Sequence, residues 1–115
     1  MVEYKSDENL SRLLKAVSDT TRRSLLTQLS QQGVSRVTDL AGYYDMSLNA
    51  ISKHIKVLEK AELVTRKTIG RTHWIEANLE QIKLAENWFM ELKSIWELRL
   101  NKLDELMKNG DASDD

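Results

Sequence analysis

Apolar residues recur along this chain at intervals of three and four, and breaks in that rhythm divide it into elements. Leu10, Leu13, Leu14 and Val17 follow i, i+3, i+4, i+7 and predict a first helix capped by Asp7. Asp19 is placed to cap a second, amphipathic helix with Leu25, Leu26 and Leu29 inward. That helix should stop at Gly33, a residue suited to the left-handed backbone of helix ends. Residues 34–37 leave room for one short extended segment. Ser35 or Thr38 then caps a third helix carrying Leu40, Ala41 and Tyr44. The chain must turn at Asp45, which tolerates left-handed geometry better than most non-glycine residues. Ser47 caps a fourth helix that runs to about Ala61. Two stretches rich in strand formers, 63–69 and 72–75, meet at Gly70-Arg71 and predict a β-hairpin. Asn78 opens a last helix that should continue to Lys108 and end at Asn109-Gly110.

The fourth helix keeps Ile51, Ile55 and Leu58 on one face and turns Asn49, Lys53 and Lys56 the other way. A helix that packs on one side and offers amide, hydroxyl and ammonium groups on the other suits a DNA major groove. Residues 37–58 therefore read as a helix-turn-helix, and the hairpin, with Arg66, Lys67 and Arg71 around its tip, reads as a wing. The expected fold class is mostly α with a small β-hairpin, a winged helix-turn-helix in the order α-α-β-α-α-β-β-α. It occupies one domain, 1–108, followed by a disordered acidic tail at 109–115.

The last helix changes the picture. About 30 helical residues span roughly 45 Å, longer than so small a domain can cover. One seven-residue repeat holds Ile82, Phe89, Trp96 and Leu103, and its companion holds Ala85, Leu92, Arg99 and Leu106. Trp88, Ile95 and Leu98 widen the apolar surface. A second chain is the expected cover. Trp88, Phe89 and Trp96 either pack in that dimer core or line a small-molecule pocket.

Composition excludes more than it suggests. With no cysteine there is no disulfide framework, thiolate metal site or cysteine nucleophile, and the absence of proline favours uninterrupted helices. No apolar run approaches the roughly 20 residues of a membrane helix. The first residues lack the apolar core of a secretory signal, which predicts a cytoplasmic protein without membrane insertion. The net charge of −1 argues against a uniformly basic coat. Charge is nevertheless uneven: residues 47–73 hold six basic and two acidic side chains, whereas 104–115 hold five acidic and one basic. Such asymmetry is expected of a DNA-binding face set apart from an acidic end.

AVSDTTRRSLL (16–26), ISKHIKVLEKAELV (51–64) and GRTHWIEAN (70–78) resemble the ArsR/SmtB family of bacterial winged-helix repressors. Ser52-Lys53-His54 followed by lysine, valine and leucine is the most specific part of the likeness, which covers nearly the whole chain. The long last helix with paired aromatics is similar to a branch of the family that lacks the metal-ligand cysteines. The resemblance implies a homodimer formed through the first and last helices, with Leu10, Leu13, Leu14, Ile82, Ala85, Trp88, Phe89, Leu92, Trp96 and Leu103 at its interface. It also implies repression by blocking polymerase. Departures are visible. Thr20 stands where the family usually has proline, and Asp45 and Glu62 stand where it favours glycine, so each of these two exits should carry modest backbone strain or an altered corner. Leu48 and Asn49 replace a usual Gln-Pro pair, so the family's base preference does not carry over.

The expected DNA contacts are Ser47, Leu48, Asn49, Ser52, Lys53, His54, Lys56, Lys67, Arg71 and Thr72. Leu48 suits a thymine methyl and Asn49 an adenine. For His54 the resemblance suggests a phosphate or structural hydrogen bond, and a partly buried packing histidine is the alternative. Arg22 and Arg23 should be ion-paired on the second helix. A metal site is disfavoured, because the last helix has no histidine and the chain's two, His54 and His73, lie in the DNA-facing half. No catalytic constellation or cofactor motif is present. The expected function is a homodimeric, sequence-specific repressor on double-stranded DNA with an imperfect palindromic operator. A winged-helix protein-interaction module without DNA readout is the alternative, and an inducer, small molecule or protein, stays open as a further partner.

Overall fold

The computed structural model describes residues 2–113, with side chains described from 7 to 109. Its chain order is α1 (Val2–Ala16), α2 (Thr20–Gln32), β1 (Ser35–Arg36), α3 (Val37–Ala41), α4 (Leu48–Lys60), β2 (Val64–Ile69), β3 (Thr72–Ala77) and α5 (Ile82–Ser113). This is the predicted order, and the chain divides into two units, Met1–Ala85 and Glu86–Asp115.

In the first unit, helix ends follow local chemistry where a capping side chain is in reach. The backbone N–H of Arg22 donates to Asp19 Oδ2 at 3.0 Å, and that of Ala50 donates to Ser47 Oγ at 3.1 Å, so both predicted caps form. Gly33 ends α2 at φ 79° and donates its N–H to the Leu29 carbonyl at 2.8 Å. Four expected boundaries differ. The first helix already begins at Val2, which leaves Asp7 inside it, because no glycine or proline precedes Asp7 to stop the helix. Neither Ser35 nor Thr38 caps α3. Ser35 is held in β1 opposite Ile75 and its hydroxyl donates to the Gly33 carbonyl, so Arg36 takes the cap position without a side-chain bond.

The third helix stops at Ala41, and Tyr44 lies beyond it in a turn closed by Tyr43 and Tyr44 N–H groups on the Leu40 and Ala41 carbonyls. Six residues therefore separate α3 from α4, enough to reverse direction without a left-handed residue. Asp45 accordingly keeps a negative φ. The last helix starts at Ile82, four residues after Asn78, because the Asn78 side chain accepts from the Glu80 N–H and i→i+3 bonds fill the entry. It also runs through Asn109-Gly110 to Ser113; the remainder of the expected acidic tail, 114–115, lies outside the described residues.

Glu62 does carry the strain expected of it. Among the described residues it is the one non-glycine with positive φ, at 60°. Its N–H bonds the Glu59 carbonyl at 2.9 Å, and the Leu63 N–H bonds the Leu58 carbonyl at 3.0 Å. These are the two bonds of a Schellman ending, and its apolar contact pair, Leu58 and Leu63, is fully buried.

The sheet is antiparallel in the order β1-β3-β2, so the wing hairpin gains a third, two-residue strand. Ile69 faces Thr72 across Gly70, whose φ of 63° fits a two-residue turn with glycine first. The core joins Leu25 and Leu29 of α2, Leu40 of α3, Ile51, Ile55 and Leu58 of α4, and Leu63 with Ile75, all fully buried.

Two residues expected at a dimer interface belong to this core instead: Leu13 is 3% exposed and Ala85 9%. Their side chains lie on the inner stripes of their helices. Leu10, Leu14 and Ile82 are partly buried against the same core. In the second unit, every described side chain from 86 to 109 is exposed, including Trp88, Phe89, Leu92, Trp96 and Leu103. Trp88 and Phe89 meet edge to face at 4.9 Å.

Glycine adopts φ near 60° without the steric cost that glutamate bears there, and Glu62 is exposed with no ion pair among the described residues. Glu62→Gly should therefore stabilise the fold by about 0.5–1 kcal/mol after the entropy of the unfolded glycine is counted. Urea unfolding should show a raised midpoint at constant slope; a lowered midpoint would refute the strain.

Candidate nucleic-acid interface

The interface grows from the way α4 is held. Burial of Ile51, Ile55 and Leu58 turns Asn49 and Lys53 outward on the far side of α4, and Leu48, Ser52 and Lys56, spaced four apart, fall in one line along its flank. They form one side of a cleft of ≈ 350 Å³. Its other walls come from Arg36, Val37 and Thr38 at the start of α3 and from Arg66, Arg71, Thr72 and His73 of the hairpin.

Five of the ten expected contact residues thus share this cleft: Leu48, Ser52, Lys56, Arg71 and Thr72. Asn49 and Lys53 are exposed on the adjoining stripe of α4, Ser47 sits at its N-terminus, and Lys67 is exposed on β2. His54 is set apart. Its ring is 20% exposed and turned toward the start of α2, where Nδ1 accepts from Arg22 Nη1 at 3.2 Å. Of the two roles the resemblance suggested for it, the structural hydrogen bond is present. Arg36, Thr38 and His73 were not anticipated in the cleft. Arg36 and Thr38 reach it only because β1 and α3 fold beside the hairpin, a proximity without local sequence signal, whereas His73 follows Thr72 on the hairpin itself.

Charge at the cleft is partly neutralised. Arg66 donates from Nε and Nη2 to Glu59 Oε1, at 3.1 and 2.7 Å, which ties the root of the wing to α4. Arg36 grips Asp39 through Nε at 2.9 Å and Nη2 at 3.2 Å. The hydrogen bond to Asp39, with its negative charge, raises the Arg36 pKa further above its ordinary value. Lys53, Lys56, Lys67 and Arg71 make no ion pair among the described residues. These four are expected contact residues whose charge is free to meet an anionic partner.

Among the described residues Arg22 and Arg23 make no ion pair, contrary to expectation. Arg22 donates to the Ala16 carbonyl at 2.7 Å and the Lys15 carbonyl at 3.2 Å, and Arg23 donates to the Val17 carbonyl at 2.7 Å. Carbonyls at a helix C-terminus lack intrahelical partners, so guanidinium donors are drawn to them. Nearby, the Arg22 backbone N–H holds the Asp19 carboxyl below its ordinary pKa; partial burial opposes this, and the Arg22 charge assists it. Among the described residues no group of three or more His, Cys, Asp or Glu could hold a metal ion, and no helix is long and apolar enough to cross a membrane.

Residues 19–66, which contain α2, α3, α4 and the start of the wing, match the model of bacterial regulatory proteins of the arsR family. Over 87 residues the chain is 37% identical to an uncharacterized HTH-type transcriptional regulator, YuzN, of Bacillus subtilis (strain 168), covering 70% of this chain and 95% of that one. The chain belongs to the arsR family. Another arsR-type relative, the arsenical resistance operon repressor of the same organism, is 31% identical over 83 residues, covering 66% of this chain and 79% of its own. The crystal structure of an ArsR family transcriptional regulator superposes with a TM-score of 0.75 at 33% identity, covering 79% of this chain and 93% of the other. This arsR-family protein is a DNA-binding transcription regulator with a winged helix-turn-helix fold.

The Asp19 cap gives a pH test. A depressed folded pKa means stability that is present above the unfolded value, near 3.9, and lost as pH falls through the folded one. Asp19→Ala should cost about 1 kcal/mol at pH 7. Urea unfolding at a series of pH values should show that deficit shrinking below about pH 4. A deficit that stays constant into acid would rule out a charge-dependent cap.

Proposed function

We propose that this protein is a homodimeric, cytoplasmic repressor that reads an imperfect palindromic operator. The reading rests on one observation: Leu48, Ser52 and Lys56 of α4 share a cleft with Arg71 and Thr72 of the wing. A helix stripe and a hairpin tip on one face suit a major groove and its flank. Lys53, Lys56, Lys67 and Arg71 supply phosphate contacts, while Leu48, Asn49 and Ser52 read base edges. Ser47 takes up the Ala50 N–H, and the earlier N–H groups of α4, which lack intrahelical partners, favour a phosphate. The arsenical resistance operon repressor relative supports repression as the outcome.

The exposed apolar residues of α5, Trp88, Phe89, Leu92, Trp96 and Leu103, supply the dimer contact. Such a run of large apolar side chains is costly to leave in water. Two-fold symmetry then sets half-sites about 34 Å apart, one turn of B-DNA.

Selection of bound duplexes from a random pool, followed by footprinting, should enrich a palindrome with that spacing. Absence of any enriched palindrome would sink the reading. Lys56→Ala and Arg71→Ala should each weaken binding to all sequences and lower the salt slope by about 1. Asn49→Ala should instead relax preference at one base position, by about 1–3 kcal/mol, with the slope unchanged.

A further inference from the structure

We propose that Arg22 and His54 are positioning residues for DNA binding, locking the recognition helix α4 to the corner between α1 and α2. The proposal rests on the DNA-binding reading above and assigns neither residue a contact with DNA. The Arg22 guanidinium bridges three groups: the Ala16 carbonyl at 2.7 Å, the Lys15 carbonyl at 3.2 Å and His54 Nδ1 at 3.2 Å. Its own backbone N–H is fixed by Asp19, whose Oδ2 also lies 3.8 Å from His54 Nδ1. The end of α1, the start of α2 and the middle of α4 thus meet at one half-buried side chain.

The direction of the contact follows from chemistry. A guanidinium has five donors and no acceptor, so at this bond the ring nitrogen of His54 must accept. The imidazole is then held with its proton on Nε2, and its orientation is set from one side.

The need for such a lock comes from how the rest of α4 is held. Ile51, Ile55 and Leu58 anchor one face by burial, which is strong but not directional. A helix seated only on leucine and isoleucine can roll. At a helix radius of about 6 Å, a roll of about 20° moves a side-chain tip by about 2 Å. That distance is larger than the tolerance of a hydrogen bond to a base edge. Glu59, paired with Arg66, steadies the C-terminal part of α4 from the wing side. His54 steadies the middle from the opposite element, between the outward residues Lys53 and Lys56.

The experiment compares binding to the selected operator and to a random duplex, across salt, for Arg22→Ala, Arg22→Lys, His54→Leu and His54→Asn. Circular dichroism and the unfolding midpoint confirm that each variant is folded. His54→Leu and Arg22→Ala should lower operator affinity about 5- to 10-fold, the scale of one hydrogen bond. Random-duplex affinity and the salt slope should stay as in wild type. His54→Asn, which places an acceptor oxygen near the position of Nδ1, should recover most of the loss. Arg22→Lys should not, because one ammonium cannot reproduce the planar fork. The double variant Arg22→Ala, His54→Leu should lose little more than the worse single change. Nitrogen NMR of the ring should show the proton on Nε2 in wild type and a tautomer mixture in Arg22→Ala.

A salt slope reduced by about 1 in Arg22→Ala would overturn the proposal, making Arg22 a phosphate contact. Failure of His54→Asn to rescue would do the same, placing His54 itself on the DNA. Wild-type binding with all four variants unchanged overturns the positioning role alone. A wild-type chain that binds no duplex overturns the DNA-binding reading and this role with it.

Discussion

Everything outward-facing in this protein depends on the burial of one helix face. Ile51, Ile55 and Leu58 are fully buried, and they meet leucines from α2 and α3 together with Leu63 and Ile75. Each such side chain contributes about 1.5–3 kcal/mol relative to exposure. Three of them together are comparable with the whole net stability of a small domain, roughly 5–15 kcal/mol. No arrangement that turned this face outward would stay folded. Because the helix repeats every 3.6 residues, the same burial turns Asn49 and Lys53 toward solvent and sets Leu48, Ser52 and Lys56 in a single line along the flank. The outer stripe contributes little to stability, which leaves its chemistry free to serve recognition.

Burial fixes which face is inside but leaves the helix's angle and its neighbours to polar contacts. Glu59 and Arg66 join α4 to the wing, and Arg22 and His54 join it to the α1–α2 corner. Between α4 and β2 the chain turns at Glu62, where a left-handed φ costs about 1–2 kcal/mol for a residue with a Cβ. The turn holds because Leu58 and Leu63 on either side are fully buried and two backbone bonds close it. The strain therefore sits at the junction between the reading helix and the wing. That junction sets how the two meet across the cleft.

Much of this architecture was legible in the chain because its causes are local. Asp19 and Ser47 cap the helices they precede, Gly33 ends α2, and Gly70 turns the hairpin; each acts within four residues of itself. Misreadings arose where a competing partner lay farther off or a signal had two uses. Ser35 looks like a cap, but pairing with Ile75 draws it into a strand. Asn78 looks like a helix start, but its side chain closes a turn instead. Asp45 looks like a sharp corner, but six linking residues make the left-handed turn unnecessary. Leu13 and Ala85 carry the same periodicity as their exposed neighbours, so pattern alone could not tell own core from outer surface. The arginines were harder still, since a guanidinium serves a carboxylate, a helix carbonyl or a phosphate equally well.

The sequence by itself determined the element order, the inner faces of α2 and α4, the wing, and the surplus of apolar surface on the last helix. These rest on periodicity and capping, which the chain encodes within a turn or two. The tertiary structure decided which cations stay free. Among the described residues Lys53, Lys56, Lys67 and Arg71 remain unpaired, whereas Arg66, Arg36 and Arg22 are taken up by Glu59, Asp39 and the end of α1. It also decided that Arg36 and Thr38 share a cleft with the hairpin. The pairings of Arg66 and Arg22 and the sharing of the cleft are matters of distance between segments remote in the chain. Charge and hydrogen-bond donors can be counted in a sequence, but their partners are chosen only when packing brings them within about 3 Å.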